Sequence, residues 1–231
     1  MAALGVTALF AALGMWQLDR AEQKRVMHAE FENRGNTPEA DLNQMGVDNM
    51  AALAGRQAAA AGRYRGATIL LDNQVHQGRA GYLVYTAFDL TGRKESVLVN
   101  RGWISAGADR SRAPKFATPT LSQRLEGRLR PPPQGGLRLE GYDVIERLAD
   151  DIWRVQGIDY AALNASVGVD LVPMTVLLDV DAPYGFVRDW TPPGNDENRH
   201  LGYALQWFAL ALTVVIVALV VTLRSGKAGT P

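Results

Sequence analysis

Residues 201–223 read LGYALQWFALALTVVIVALVVTL, 23 residues without one ionisable side chain, in which only Gln206, Thr213, Thr222 and the aromatic pair Tyr203 and Trp207 relieve the apolar run. As a helix the stretch reaches about 35 Å, enough to cross a hydrocarbon core of about 30 Å with some tilt. It therefore predicts a transmembrane helix and sets the class of the fold. A second uncharged run opens the chain: residues 1–18 carry Leu4, Val6, Leu9, Phe10, Leu13 and Met15, then Trp16 at an interfacial position. That run is about 27 Å long as a helix and barely spans. Nothing basic precedes it, and it ends in Trp16-Gln17-Leu18-Asp19-Arg20 rather than in a small-residue cleavage site. It reads as a retained anchor, not a cleaved signal peptide, and the missing basic leader points to a start that lies upstream.

Two spans put both termini on one side of the membrane. Arg224 and Lys227 in the tail, with no acid beside them, place that side in the cytoplasm. Arg20, Lys24 and Arg25 argue the other way, but Asp19 and Glu22 stand among them, and long domains translocate largely regardless of flanking charge. The expected organisation is a transmembrane helix over 1–18, an extracytoplasmic β-rich domain over 19–198, a transmembrane helix over 199–223 and a cytoplasmic tail over 224–231.

Composition narrows the function. The 231 residues hold 24 Lys plus Arg against 24 Asp plus Glu, so the basic excess of a nucleic-acid binder is missing. With no cysteine, disulfide scaffolds, thiol nucleophiles and thiolate metal sites are excluded.

Within the middle segment, Asp19 to about Asn33 should continue the first helix as a charged stalk, because neither Pro nor Gly interrupts it before Gly35. Thr37-Pro38-Glu39 looks like a cap followed by a first-turn proline, and Ala-rich Asn49–Ala61 looks like a short helix closed by Gly62. After Gly62 the pattern turns extended. Tyr64–Asn73 and Gly81–Phe88 read as a hairpin around Gly78, Ser96–Ile104 as a further strand, and Leu121–Leu129 as another, stopped by Pro131-Pro132-Pro133. Ile152–Val155 and Met174–Val180 bring the total to six or seven strands, with a short helix from Asp159 to Val167 ended by Gly168. The fold class expected is an α+β membrane protein: two transmembrane helices flanking a mainly antiparallel β barrel or sandwich with minor helices.

Catalytic motifs are missing from the sequence. None of His28, His76 and His200 belongs to a metal-ligating pair, Ser105 lacks a nucleophile-elbow spacing, and no phosphate-binding glycine loop occurs. The carboxylates are scattered, so the chain reads as a protein that is not an enzyme. His200 stands out, at the outer mouth of the second span after Thr191-Pro192-Pro193-Gly194-Asn195-Asp196-Glu197-Asn198-Arg199. Tyr203 and Trp207 follow at i+3 and i+7 with Ala204 between them. A neutral imidazole among aromatics at the membrane boundary would suit a lipophilic porphyrin, with His200 on the iron and Arg199 on a propionate. The same residues also fit an interfacial belt with no ligand at all.

Three separated motifs carry a resemblance: Gly14-x-Trp16-Gln17-x-x-Arg20-x-x-x-Lys24, Leu98-Val99-Asn100-Arg101-Gly102-Trp103, and His200-Leu201-Gly202-Tyr203-Ala204-Leu205-Gln206-Trp207-Phe208. In order and topology the chain resembles the SURF1 (Shy1) family from Gly14 to about Leu223. The resemblance implies an assembly factor for haem-copper cytochrome c oxidase in a bacterial inner (cytoplasmic) membrane, with its domain in the periplasm and both termini in the cytoplasm. It further implies haem a as cofactor, His200 as iron ligand, Tyr203 and Trp207 as pocket walls, and haem a synthase, oxidase subunit I and the bilayer as partners. The alternative within that setting is a cofactor-free scaffold that stabilises subunit I by contact. Ala87 after Thr86, and Ser105 after the Gly-Trp strand, stand where the family often has proline; neither touches His200.

Overall fold

The computed structural model describes residues 2–46, 51–131 and 144–227. They form two compact units, one made of 1–33 with 191–231 and the other of 34–190.

The first unit is a pair of long helices, α1 (Ala2–Gly35) and, in the numbering used below, α3 (Glu197–Lys227). Both are long and apolar enough to cross a membrane, and only 11% of each apolar window is buried, so these are not the core helices of a soluble protein. Leu9, Met15, Leu205, Leu212, Ile216 and Leu219 all stand exposed on them, an arrangement that lipid satisfies and water does not. The chain is thus membrane-associated. α1 continues unbroken past Asn33 to Gly35, as the missing breakers required.

The second unit is built on β1 (Ala40–Asp41), β2 (Gln57–His76), β3 (Arg79–Leu90), β4 (Ser96–Ser105), β5 (Gln123–Arg130), β6 (Ile145–Ala149), β7 (Ile152–Val155) and β8 (Leu171–Leu178). These eight strands form one sheet in the order β3-β4-β8-β5-β2-β7-β6, with β1 on β2 and an additional β2–β3 pairing. Among the described residues five of the eight pairings are antiparallel, in line with a mainly antiparallel expectation. The pairs β4–β8, β2–β7 and β1–β2 are parallel, so what the unit shows is a mixed sheet and not a purely antiparallel barrel or sandwich. Such pairings join distant segments and leave no trace in local periodicity.

β2 organises the unit. Its first residues pair with β5, and its later ones run between β3 and β7, so it is buried on both faces at Ala67–Leu70. It turns into β3 through Gln77 and Gly78, both at positive φ (48° and 75°), the geometry a two-residue hairpin loop demands. Alternation along the strands then divides the core: Val97 and Val99 enter one cluster with Leu42, Phe88, Leu129 and Met174. Leu98 enters the other, with Ile69, Trp153 and Leu163.

The helix over Tyr160–Val167, α2, starts and stops where expected. The Asp159 side chain accepts hydrogen bonds from the amides of Ala161 and Ala162, and Gly168 closes it at φ 67°. Two helical expectations fail. The chain after Thr37-Pro38-Glu39 enters β1, and of the Ala-rich segment only Ala51–Leu53 makes a single 3-10 turn before β2 begins at Gln57. Asn49 and Met50 lie outside the described residues, as do Pro132 and Pro133. Ala58 and Ala60 are small enough to fill the sheet interior under Leu42, and that burial overrides alanine's helical preference.

Candidate functional site

The site begins with how α1 meets α3. Gly14, Gln17 and Ala21 are the buried residues of α1, spaced by three and four, and Ala204 and Ala211 are their counterparts on α3. Small residues on both sides let the backbones approach. Phe208 lies directly over Gly14, where a Cβ would come within 2.6 Å of its ring, and Phe10 packs on Trp207 with ring centroids 5.6 Å apart. Further out, Gln17 meets His200 and Lys24 meets Asp196. From Gly14–Phe208 through Gln17–His200 to Lys24–Asp196 the partner numbers fall as those on α1 rise, so the pair is antiparallel.

His200 is half-buried, its side chain 20% exposed. Its Nδ1 lies 2.8 Å from Oε1 of Gln17; with an amide oxygen facing the ring, Nδ1–H is the donor. Nε2 sits 3.7 Å from an Asp196 carboxylate oxygen, beyond hydrogen-bond reach. That carboxylate is held instead by the Lys24 ammonium at 3.1 Å, and chiefly this hydrogen bond lowers the Asp196 pKa from its ordinary value. Asp196 stands immediately before α3, and Gly194 two residues earlier adopts φ 82°, where an added Cβ would fall 2.2 Å from the Lys24 carbonyl oxygen.

The other predicted residues scatter. Trp207 lies on the packed face but against Phe10, Tyr203 is 46% exposed, and Arg199 is exposed at the start of the helix. His76 stacks on Trp103 at 5.3 Å in the β unit, and the Nδ1 of His28 is buried on α1 without a hydrogen-bond partner.

The Arg101-Gly102-Trp103 motif builds a structural clasp. Arg101 is 1% exposed and donates to the carbonyls of Tyr184 and Ala117 and to the Thr118 hydroxyl, at 2.8 to 3.0 Å. The rings of Tyr64, Phe116 and Phe186 surround its guanidinium at 4.9 to 5.9 Å. Burial pushes its pKa down. Gly102 at φ 111° lets the strand pass close under Val187, and the Trp103 indole donates to the Gln74 carbonyl at 2.9 Å. Sequence reasoning gave no site role to Gln17, Lys24 or Asp196, although Gln17 and Lys24 stand in the first of the three motifs; polarity beside an apolar run is what an interfacial residue shows equally.

Among the described residues no group of three or more His, Cys, Asp or Glu side chains is placed to hold a metal ion. A profile of the SURF1 family matches residues 4–212, which include all of the geometry just described apart from the end of α3. No curated protein matches the chain.

Proposed function

The chain belongs to the SURF1 family, which gives it a role in cytochrome c oxidase assembly, and from that membership and the His200 geometry we propose that it binds haem a and assists its delivery into oxidase subunit I. In this reading the protein is a membrane-anchored carrier rather than an enzyme. It sits in a bacterial inner membrane with both termini in the cytoplasm and the β unit in the periplasm, receiving its cargo from haem a synthase.

The observation that carries the reading is the half-satisfied imidazole. Nδ1 is tied to Gln17, Nε2 has only a carboxylate at 3.7 Å that Lys24 already engages, and one-fifth of the side chain is open. These residues fit a haem: a histidine that ligates through one nitrogen while donating from the other is the common form of such a ligand. His200 would hold the iron. Arg199, exposed one residue before it, is free to reach a propionate, and Trp207 and Tyr203 supply apolar surface on the same helix. The group supplies the redox centre of the finished oxidase; the chain's own task is to hold it by one exchangeable bond at the depth where its apolar face meets lipid and its carboxylates meet water. A cofactor-free scaffold has one observation in its favour. The Gln17–His200 hydrogen bond joins the two spans, and that alone would give a histidine a reason to stand there.

The test is an absorption spectrum of the full-length protein purified from a host that makes haem a. Wild type is expected to carry the chromophore, and His200→Ala to lose about nine-tenths of it or more while inserting normally. A variant that keeps stoichiometric haem a with an unchanged spectrum removes His200 as ligand. A colourless wild type leaves the scaffold.

A further inference from the structure

We propose that Gln17 is the positioning residue of His200: its amide oxygen fixes the imidazole as the Nδ1–H tautomer, so that the Nε2 lone pair is the one presented to a metal. The tautomer follows from the amide oxygen of Gln17, rather than its nitrogen, facing Nδ1; its consequence for iron rests on the reading of His200 as a haem ligand.

Gln17 is the only polar side chain buried in the helix-pair unit among the described residues, at 8% exposure. A buried amide without a partner costs about 1–3 kcal/mol, and Leu or Ala would fill the same place between Gly14 and Ala21 without that liability. Its retained value lies in the 2.8 Å contact with Nδ1, which the small residues on either side make short enough to form. The direction of that contact matters chemically. A free neutral imidazole favours the Nε2–H form, which leaves its lone pair on Nδ1, the nitrogen crowded by the Cβ. An acceptor at Nδ1 reverses the preference.

The type of acceptor matters as well. A carboxylate in this place would draw the Nδ1 proton and raise the basicity of Nε2, tightening the metal bond; a neutral amide orients the ring with far less push. The carboxylate the site does contain, Asp196, lies on the Nε2 side and is occupied by Lys24. A moderate bond suits a protein whose cargo must leave again.

The haem-free full chain in nanodiscs tests this by nitrogen-15 histidine spectroscopy at about pH 8.5, above the ordinary titration range of the side chain. The His200 signals are assigned by their loss in His200→Ala. Wild type is expected to show mainly Nδ1–H, Gln17→Glu to keep it, and Gln17→Leu to cut the Nδ1–H fraction by half or more. With haem a loaded, release is expected to quicken on the order of tenfold in Gln17→Leu and to slow on the order of tenfold in Gln17→Glu, the lower range for the partner of a metal-binding histidine. A wild-type ring protonated on Nε2, or a Gln17→Leu variant with an unchanged tautomer, overturns the proposal. Should Gln17→Leu disturb packing, Gln17→Glu still decides it, since release no slower than wild type also overturns it. A wild type with the stated tautomer that never retains haem a upholds the role of Gln17 and overturns the carrier reading, so the two failures are distinct.

Discussion

Arg101 and His200 are both basic side chains withdrawn from water, one in each unit, and they differ in how completely their polar atoms are used. The Arg101 guanidinium is surrounded: two main-chain carbonyls and a hydroxyl accept its protons, and three aromatic rings cover it. Nothing is left for a ligand, and what the residue does is tie the segments at 116–118 and 184–186 to β4. His200 uses one nitrogen and leaves the other without a hydrogen bond. A saturated polar centre holds a fold together, while a half-saturated one keeps a valence available for chemistry.

The sharpest way to break this contrast is to remove the saturated centre. Arg101→Met keeps much of the side-chain volume but leaves the Tyr184 and Ala117 carbonyls and the Thr118 hydroxyl without their donor. At the lower end of about 1–3 kcal/mol for each of these part-buried groups, the loss should be on the order of 3 kcal/mol, a fall of about 6–12 °C in the melting of the β unit. Haem content per folded molecule is expected to stay at the wild-type level. If Arg101→Met melts normally but loses its haem, the two residues have the opposite roles to those argued here.

A smaller effect comes from pH. Burial pushes the Tyr64 phenol, beneath Arg101, up to about 12, and the Tyr85 phenol likewise to about 12; nearby arginines pull both back only in part. A phenol whose folded pKa exceeds its unfolded value of about 10 contributes stability that is complete below pH 10 and disappears as the pH rises through 12. Tyr64 alone should account for about 2–3 kcal/mol of that loss. The β unit should therefore lose its near-ultraviolet signal between pH 10 and 12. The helix pair, whose Tyr203 is exposed, should keep its helical signal across the same interval. Loss of both signals together would mean that the two units do not unfold separately.

The two regions were not equally legible in the sequence. The second span was plain, because 23 uncharged residues admit few other readings, the first less so at 18 residues, and α2 was plain because Asp159 and Gly168 are local punctuation. The hairpin was visible from Gly78 and the β-branched runs on either side. Hidden from sequence were the parallel pairs β4–β8 and β2–β7, together with the strand that occupies the Ala-rich segment, because each depends on a partner far along the chain. At the site, His200 could be singled out by residue type and place, whereas the role of Gln17, though it stands in the first of the three motifs, could not. Its role depends on the register of two antiparallel helices 183 positions apart, and an amide at the end of an apolar run has the same appearance whether it faces headgroups or an imidazole. Arg101 was legible as a strand-end residue, but the ring of carbonyls that satisfies it comes from loops with no pattern of their own.

The smallest effect concerns what surrounds the open nitrogen rather than the nitrogen itself. Gly194 has φ 82°, and a Cβ there would fall on the Lys24 carbonyl oxygen, so Gly194→Ala must both strain the backbone and lift the 191–196 segment off α1. The left-handed conformation alone costs a non-glycine residue about 1–2 kcal/mol. Because the Lys24–Asp196 pair lies in the lifted segment and the Gln17–His200 pair does not, the two contacts should respond differently. Proteolysis of the 191–199 segment in nanodiscs is expected to quicken by about tenfold, the kinetic equivalent of about 1.4 kcal/mol of easier local opening. The Nδ1–H tautomer of His200 should persist. If that tautomer is lost along with the protease resistance, the imidazole is held by the whole packed mouth of the helix pair, and its difference from Arg101 becomes one of degree.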